Sequence, residues 1–238
     1  MGENHPKWLF DESVQVGVDY TDKDVVADYD KQHENFRDFE REARQIVEAL
    51  GLSQDSTVLD IGCGTGGLTT RLARMCKHVY AVDASGGMIA ALTDKAAEQG
   101  LTNVSLEQAG FLTYEHDGQA PDAIIANIAL HHLPDFWKQI ALCRLHDLLR
   151  HGGRFLLVDV VFDFDPREYR EKIGRWLGSM RELAGPKMAH ETVVHVRDEF
   201  STWEWIVRGM LERAGFQIDS NFETMPNMRA YVCSKRRN

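Results

Sequence analysis

The 238-residue sequence has four cysteines, Cys63, Cys76, Cys143 and Cys233, far apart and without a CxxC pair. That spacing rules out a cysteine-based zinc site, and a disulfide framework is not expected in a chain of this length. The cysteines therefore read as reduced and the compartment as cytoplasmic. No apolar run is long enough to cross a bilayer, and the polar N-terminus does not read as a signal peptide. The opening MGENHP starts like a myristoylation site, but Pro6 stands where Ser or Thr is required. Basic charge is scarce: 27 Lys and Arg against 37 Asp and Glu give a net charge of −10. That balance argues against a nucleic-acid partner, whose phosphates call for clustered Lys and Arg. The only basic cluster, Lys235, Arg236 and Arg237, reads as a solubilising tail. There is no internal repeat and no low-complexity segment.

With 43% hydrophobic and 27% charged residues, the composition is that of a soluble globular protein. Apolar runs alternate with amphipathic helices, which predicts an α/β doubly wound sheet covered on both faces. Residues 22–50 read as helices, with Phe36, Phe39, Ala43, Ile46, Val47 and Leu50 at helical spacing and Gly51 as the stop. Strands are expected at 57–61, 78–83, 104–109, 122–127 and 153–161. Helices are expected at 68–75, from Ser85 to about Gln99, and at 136–149. Asp165-Pro166-Arg167-Glu168 and Ser201-Thr202-Trp203-Glu204 both read as capping boxes. Tyr169, Ile173, Trp176, Leu177 and Met180 form one apolar face behind the first. The chain closes as two strands around a turn at Pro226-Asn227. One domain is expected: a helical cap (1–50), a core (51–161), an insertion (162–200) over the carboxyl edge of the sheet, and a C-terminal helix and hairpin (201–238).

VLDIGCGTGGL (58–68) is a strand running through a glycine loop into a helix. Gly62, Gly64 and Gly66 permit close backbone approach to a ligand, and the helix N-terminus adds a positive dipole end. Spaced glycines also occur in dinucleotide-binding proteins. Asp60, just before the loop, separates the two: its carboxylate repels a pyrophosphate and attracts a cation. A ligand carrying an ammonium, a sulfonium and a carboxylate, such as S-adenosylmethionine, fits both features. Its carboxylate meets backbone N–H groups and its ammonium meets Asp60, directly or through water. Asp83, ending the second strand, is placed to accept the two ribose hydroxyls of a nucleoside; it could instead cap the next helix, though Ser85 already serves that purpose.

VLDIGCGTG, VYAVDAS, IIANIALHHLPD and LRHGGRFLLVDV follow one another in an order that closely resembles the class I S-adenosylmethionine-dependent methyltransferases. The small-molecule branch that includes the quinone-biosynthesis methylases is most similar. The resemblance covers about residues 25–160 and 201–235. It implies a Rossmann-like, seven-stranded sheet with the last strand antiparallel. It also implies a cofactor site of Tyr29, Asp60, Gly62, Cys63, Gly64, Thr65, Gly66, Asp83, Ala84, Met88, Gly110, Phe111, Asn127 and Ile128. In that site Tyr29 contacts the methionine end, Met88 packs near the ribose or adenine, and Gly110 and Phe111 meet the adenine. Many relatives carry an Asp or another polar residue where Gly110 stands. Cys63 is read as a small filler rather than a nucleophile.

Methyl transfer from a sulfonium needs alignment and exclusion of water, and a hydroxyl acceptor also benefits from a base. His131 and Asp159 are the candidates, beside Asn127 and His132; Asp159 either acts itself or orients His131. In regular helix or strand geometry adjacent histidines point apart, so no shared metal is expected. The aromatics Phe162, Phe164, Tyr169 and Trp176, with His190 and His195, either close over a substrate or form ordinary core. The leading expectation is a cytoplasmic small-molecule methyltransferase, monomeric or homodimeric, with no nucleic-acid or membrane partner. The alternatives are a nucleic-acid or protein methyltransferase and a non-catalytic cofactor-binding protein. Asn127 is followed by Ile-Ala-Leu, which gives no aromatic platform for a flipped base.

Overall fold

A computed structural model describes residues 6–14, 16–17, 26, 29 and 37–236. β1 (Thr57–Ile61), β2 (His78–Asp83), β3 (Val104–Gln108), β4 (Ala123–Asn127) and β5 (Arg154–Phe162) are the five expected strands. β6 (Thr202–Trp203) is a short addition, and β7 (Gln217–Met225) and β8 (Met228–Ser234) form the closing hairpin. The helices are α1 (Phe39–Leu50), α2 (Thr69–Leu72), α3 (Gly86–Glu98), α4 (Asp135–Leu148), α5 (Tyr169–Asp198) and α6 (Glu204–Ala214). The sheet runs β3-β2-β1-β4-β5-β8-β7, with β6 attached to β5 off this path. β8 is antiparallel to both β5 and β7. The chain is therefore a Rossmann-like α/β fold with the last strand reversed, as expected. Of the helical stretch read at 22–50, only Val26, Tyr29 and 37–50 are among the described residues, and Phe36 lies outside them.

Side chains alternate faces along each strand. Leu59 and Ile61 of β1 join a cluster with Leu142 and Leu145 of α4 and Leu211 of α6. Val58 joins a second cluster with Ala43 of α1 and Leu72 of α2. Both faces of β1 are thus buried, which is why TVLDI reads as a continuous apolar run broken only by Asp60. The order reverses between β1 and β4, and ligands bind such sheets at the carboxyl ends of the strands beside that switch.

Local signals account for most boundaries. Asp38 caps α1 by accepting the N–H of Arg41, and Gly51 ends it in the left-handed conformation. Ser85 caps α3 by accepting the N–H of Met88. Asp165 accepts the N–H of Arg167 with Pro166 at the first helical position, but it opens a 3-10 turn (Pro166–Glu168) that leads into α5. The Ser201 box does not form. α6 starts at Glu204 without a side-chain cap. The Ser201 hydroxyl pairs with His195 Nε2 at 2.7 Å, and that of Thr202 with Asp135 at 3.0 Å. Tertiary partners claim both hydroxyls and leave the helix end uncapped.

Gly66 tests how tightly the glycine loop is built. Its φ is 79°, and a Cβ there would lie 2.0 Å from Leu92 Cδ1 of α3, a fully buried side chain. Gly66→Ala combines an unfavourable backbone conformation with overpacking, together about 2–5 kcal/mol. Urea unfolding of the variant is expected to show that loss; a change under 1 kcal/mol, by the same reckoning, would mean that the loop relaxes freely.

Candidate functional site

The pocket lies at the carboxyl ends of β1, β2 and β4. It is a cleft with about 810 Å³ of space that is open to solvent. Its floor is the loop after β1. Gly62 has φ 74°, and a Cβ on it would meet the Ala129 Cβ at 2.3 Å. Only glycine allows the chain to turn there against the segment after β4. The loop N–H groups turn inward: those of Gly62 and Cys63 go to the Val82 carbonyl, and that of Gly66 goes to the Cys63 carbonyl. The N–H of Gly64 goes to Asp83 Oδ2 at 2.8 Å. These four N–H groups of the loop are thus engaged within the protein, and the glycines contribute close approach.

Asp83 lines the pocket, and its other oxygen accepts the N–H of Ser85 at 2.8 Å. Burial raises its pKa above the ordinary carboxylate value, and the amide hydrogen bonds oppose this. Ile128 forms the far wall with φ 57°, a left-handed conformation rare for a β-branched residue. Such strain collects at functional sites and persists only where the surroundings hold it; here the Ile128 N–H bonds the Val158 carbonyl at 2.7 Å.

The opposite rim comes from the N-terminal segment. Trp8 stacks on Trp137 of α4 with ring centroids 6.4 Å apart, and Phe10 packs on the same ring. These anchors set Glu12 against Gly110. A Cβ on Gly110 would lie 2.3–2.5 Å from the three carboxyl atoms of Glu12. The Glu12 carboxyl thus fills the volume that a side chain at position 110 would take. It accepts the N–H of Leu112 at 2.8 Å. Burial pushes its pKa up to about 7, against the Leu112 and Phe111 amides and the charge of Arg144.

Beside this pocket lies a buried ionisable cluster. The turn Leu130–His132 is 3-10 rather than helix or strand, and it brings the rings of His131 and His132 to 4.3 Å. His131 Nδ1 faces Asp159 Oδ1 at 2.5 Å, and its backbone N–H bonds Asp159 Oδ2 at 3.0 Å. His131 Nε2 faces Glu199 Oε2 at 3.4 Å. His195 Nδ1 contacts the same Glu199 oxygen. Burial disfavours charge on His131 and Asp159, but their pairing outweighs it, raising the histidine and lowering the acid. His132 is pushed down to about 3 by burial and then by His131.

A family profile described as a methyltransferase domain matches residues 58–153. An uncharacterized methyltransferase of Anoxybacillus flavithermus is 32% identical over 58% of this chain and 61% of its own length. One from Geobacillus kaustophilus is 28% identical over 87% of this chain and 83% of its own. Among solved structures, a SAM-dependent methyltransferase from Aquifex aeolicus superposes with TM-score 0.64 at 20% identity, covering 90% of this chain and 98% of that one. The magnesium protoporphyrin IX methyltransferase of Synechocystis, solved with bound SAH, superposes with TM-score 0.67 at 19% identity over 91% and 96%. These likenesses agree with the fold derived above. The chain therefore carries a methyltransferase-domain match over residues 58–153 and shares the fold of solved S-adenosylmethionine-dependent methyltransferases.

In this chain the pocket gathers Tyr29, Gly62, Gly64, Asp83, Ala84, Met88, Gly110, Phe111 and Ile128 of the residues expected from sequence. Cys63, Thr65, Gly66 and Asn127 are not among its lining residues. Nor is Asp60, which is 2% exposed and accepts the Thr69 hydroxyl at 2.6 Å. Burial raises the Asp60 pKa to about 6, against the hydrogen bond from Thr69. His132, not His131, lines the pocket. The insertion aromatics pack on one another: Phe162 lies 5.7 Å from Phe164, 6.3 Å from Trp176 and 5.8 Å from Trp203. Trp176 is buried and Phe162 and Phe164 are half-buried in this aromatic group, which does not line the pocket, while Tyr169 is 50% exposed, off the expected apolar face. Sequence reading missed Glu12 and Glu199, because each reaches its place through tertiary packing that leaves no local pattern. Among the described residues no helix is long and apolar enough to cross a membrane.

Proposed function

We propose that the chain uses this pocket to bind S-adenosylmethionine and methylates a small-molecule acceptor. The observation that carries the reading is Asp83: a partly buried carboxylate between two backbone donors, at the switch point, on the floor of a pocket floored by glycine. The donor set fits the cofactor. Asp83 holds the ribose hydroxyls, Met88 and Phe111 flank the adenine, and Glu12 supplies the acceptor for its exocyclic amine. Tyr29 covers the methionine end. The cofactor supplies a methyl group already activated on a sulfonium. The protein then has to orient the acceptor and exclude water. The N-terminal segment covers one side through Phe10, Val14 and Val16, and Leu133 adds apolar surface near His132. Asp159 and His131, each buried and paired with the other, act as positioning residues for that corner. The acidic net charge favours a small acceptor over nucleic acid.

Fractionated metabolite, RNA and protein pools incubated with methyl-labelled cofactor test the reading. Label and S-adenosylhomocysteine release are expected in the metabolite pool, with His132→Ala lowering that turnover about 100-fold or more. Label confined to RNA or protein would reverse the assignment.

A further inference from the structure

The fold brings two imidazoles and a carboxylate together next to the pocket, and methyl transfer from a sulfonium does not by itself call for such a set. His131, His132 and Glu199 each offer a ligand atom, all within 4.8 Å of one another. We propose that these three residues form a binding site for a divalent transition metal, with zinc as the best match.

Four observations support this. First, the donors are two imidazole nitrogens and one carboxylate oxygen. That set suits zinc and its first-row neighbours, whereas magnesium and calcium favour all-oxygen shells. Second, His131 is prepared as a ligand. Asp159 holds Nδ1 at 2.5 Å and leaves Nε2 pointing at Glu199. A carboxylate behind a metal-binding imidazole is the usual arrangement, since it fixes the ring and raises its basicity. Third, His131 Nε2 and Glu199 Oε2 are 3.4 Å apart. A charged hydrogen bond is typically about 2.7–2.9 Å. A tetrahedral ion with bonds of about 2.1 Å separates its ligand atoms by about 3.4 Å. Fourth, His132 lines the pocket, so the remaining coordination position opens toward the acceptor.

Glu199 is held in place from several sides. His195 contacts its carboxylate, and Ser201 fixes the other nitrogen of that ring at 2.7 Å. The N–H of the next residue, Phe200, bonds the His131 carbonyl at 2.9 Å. A Cβ on Gly17 would collide with the Glu199 carboxyl, so glycine lets the N-terminal segment cover the site. Lys138, from α4, is the nearby cation; its ammonium bonds Asp135 at 2.8 Å and the Phe200 carbonyl. The cluster thus combines two buried carboxylates with imidazoles. At the pocket a bound metal would take an acceptor oxygen as its open ligand and make a hydroxyl there more acidic. That role rests on the proposed function above; metal binding itself does not, and is read without turnover.

The test is zinc titration of the chelator-stripped full chain by competition with a chromophoric chelator, and cobalt titration followed by visible absorption. One zinc per chain with submicromolar affinity is expected, with cobalt giving the intense visible bands of a low-coordinate site. His132→Ala and Glu199→Gln are expected to weaken zinc at least about 100-fold, and Asp159→Asn about 10–100-fold. His190→Ala, an exposed histidine on α5, serves as the unchanged control. Absence of stoichiometric zinc and cobalt binding by the wild-type chain would overturn the proposal, leaving an ion-pair network around His131. Equal zinc affinity in folded His132→Ala and Glu199→Gln variants would overturn it too. The wild-type cobalt spectrum decides the question if the variants do not fold.

Discussion

Asp83→Ala is expected to weaken S-adenosylhomocysteine binding about 100-fold in calorimetry. The side chain has two tasks. It accepts the N–H groups of Gly64 and Ser85, which ties the glycine loop to the end of β2. In the proposed complex it also accepts two ribose hydroxyls. A hydrogen bond to a charged group is worth about 1.5–3 kcal/mol, so losing two that share one carboxylate costs about 3 kcal/mol, which is two powers of ten in affinity. The fold should suffer less, because removing the carboxylate also removes the cost of burying its charge, visible in the raised pKa. Asp83→Asn, which keeps one acceptor, should fall between. An alanine variant with wild-type affinity would place the nucleoside elsewhere.

The second large effect concerns Glu12 and Gly110. Glu12→Ala should weaken the cofactor about 10-fold or more, by loss of a charge-assisted acceptor for the adenine amine. Gly110→Asp alone should be worse, because its side chain would enter the volume of the Glu12 carboxyl, 2.3 Å from the Cβ position, and set two acids together. The double variant should recover, since either position can supply the one carboxylate the volume holds. Strong non-additivity of this sign is the mark of a shared site; additive losses would separate the two positions. Proton linkage gives a further readout. Glu12 titrates near 7 in the free protein, against an ordinary 4.5, chiefly because burial disfavours its charge. An amine donating to the carboxylate favours the charged form, so the bound pKa lies below 7. Cofactor affinity should therefore rise as pH rises toward 7 and level off above it, and Glu12→Gln should flatten the profile.

The elements that carried local signals were legible in the sequence. Apolar runs gave the strands, Ser85 and Gly51 marked helix ends, and the loop at Gly62 and Gly64 located the pocket. Asp83 was legible because its position at the end of β2 follows from the strand reading alone. Signals failed where a side chain had two possible partners. Ser201 and Thr202 have the spacing of a helix cap, but His195 and Asp135 claim them. Asp60 has a partner that its position before the loop does not announce, the hydroxyl of Thr69 nine residues on. The histidine pair shows a third kind of failure. Adjacent rings diverge in a helix or strand, but a 3-10 turn with Ala129 outside regular geometry lets them converge. Glu12 lies 98 residues before Gly110 in sequence, and long-range contacts, Trp8 and Phe10 on Trp137 and the Leu112 N–H to Glu12, bring the two together.

Titration of the purified wild-type chain with S-adenosylhomocysteine tests the central claim most directly. The account predicts one site per chain with micromolar or tighter affinity, competed by S-adenosylmethionine and lost in Asp83→Ala. No heat of binding at millimolar nucleoside, or binding indifferent to Asp83, would contradict it.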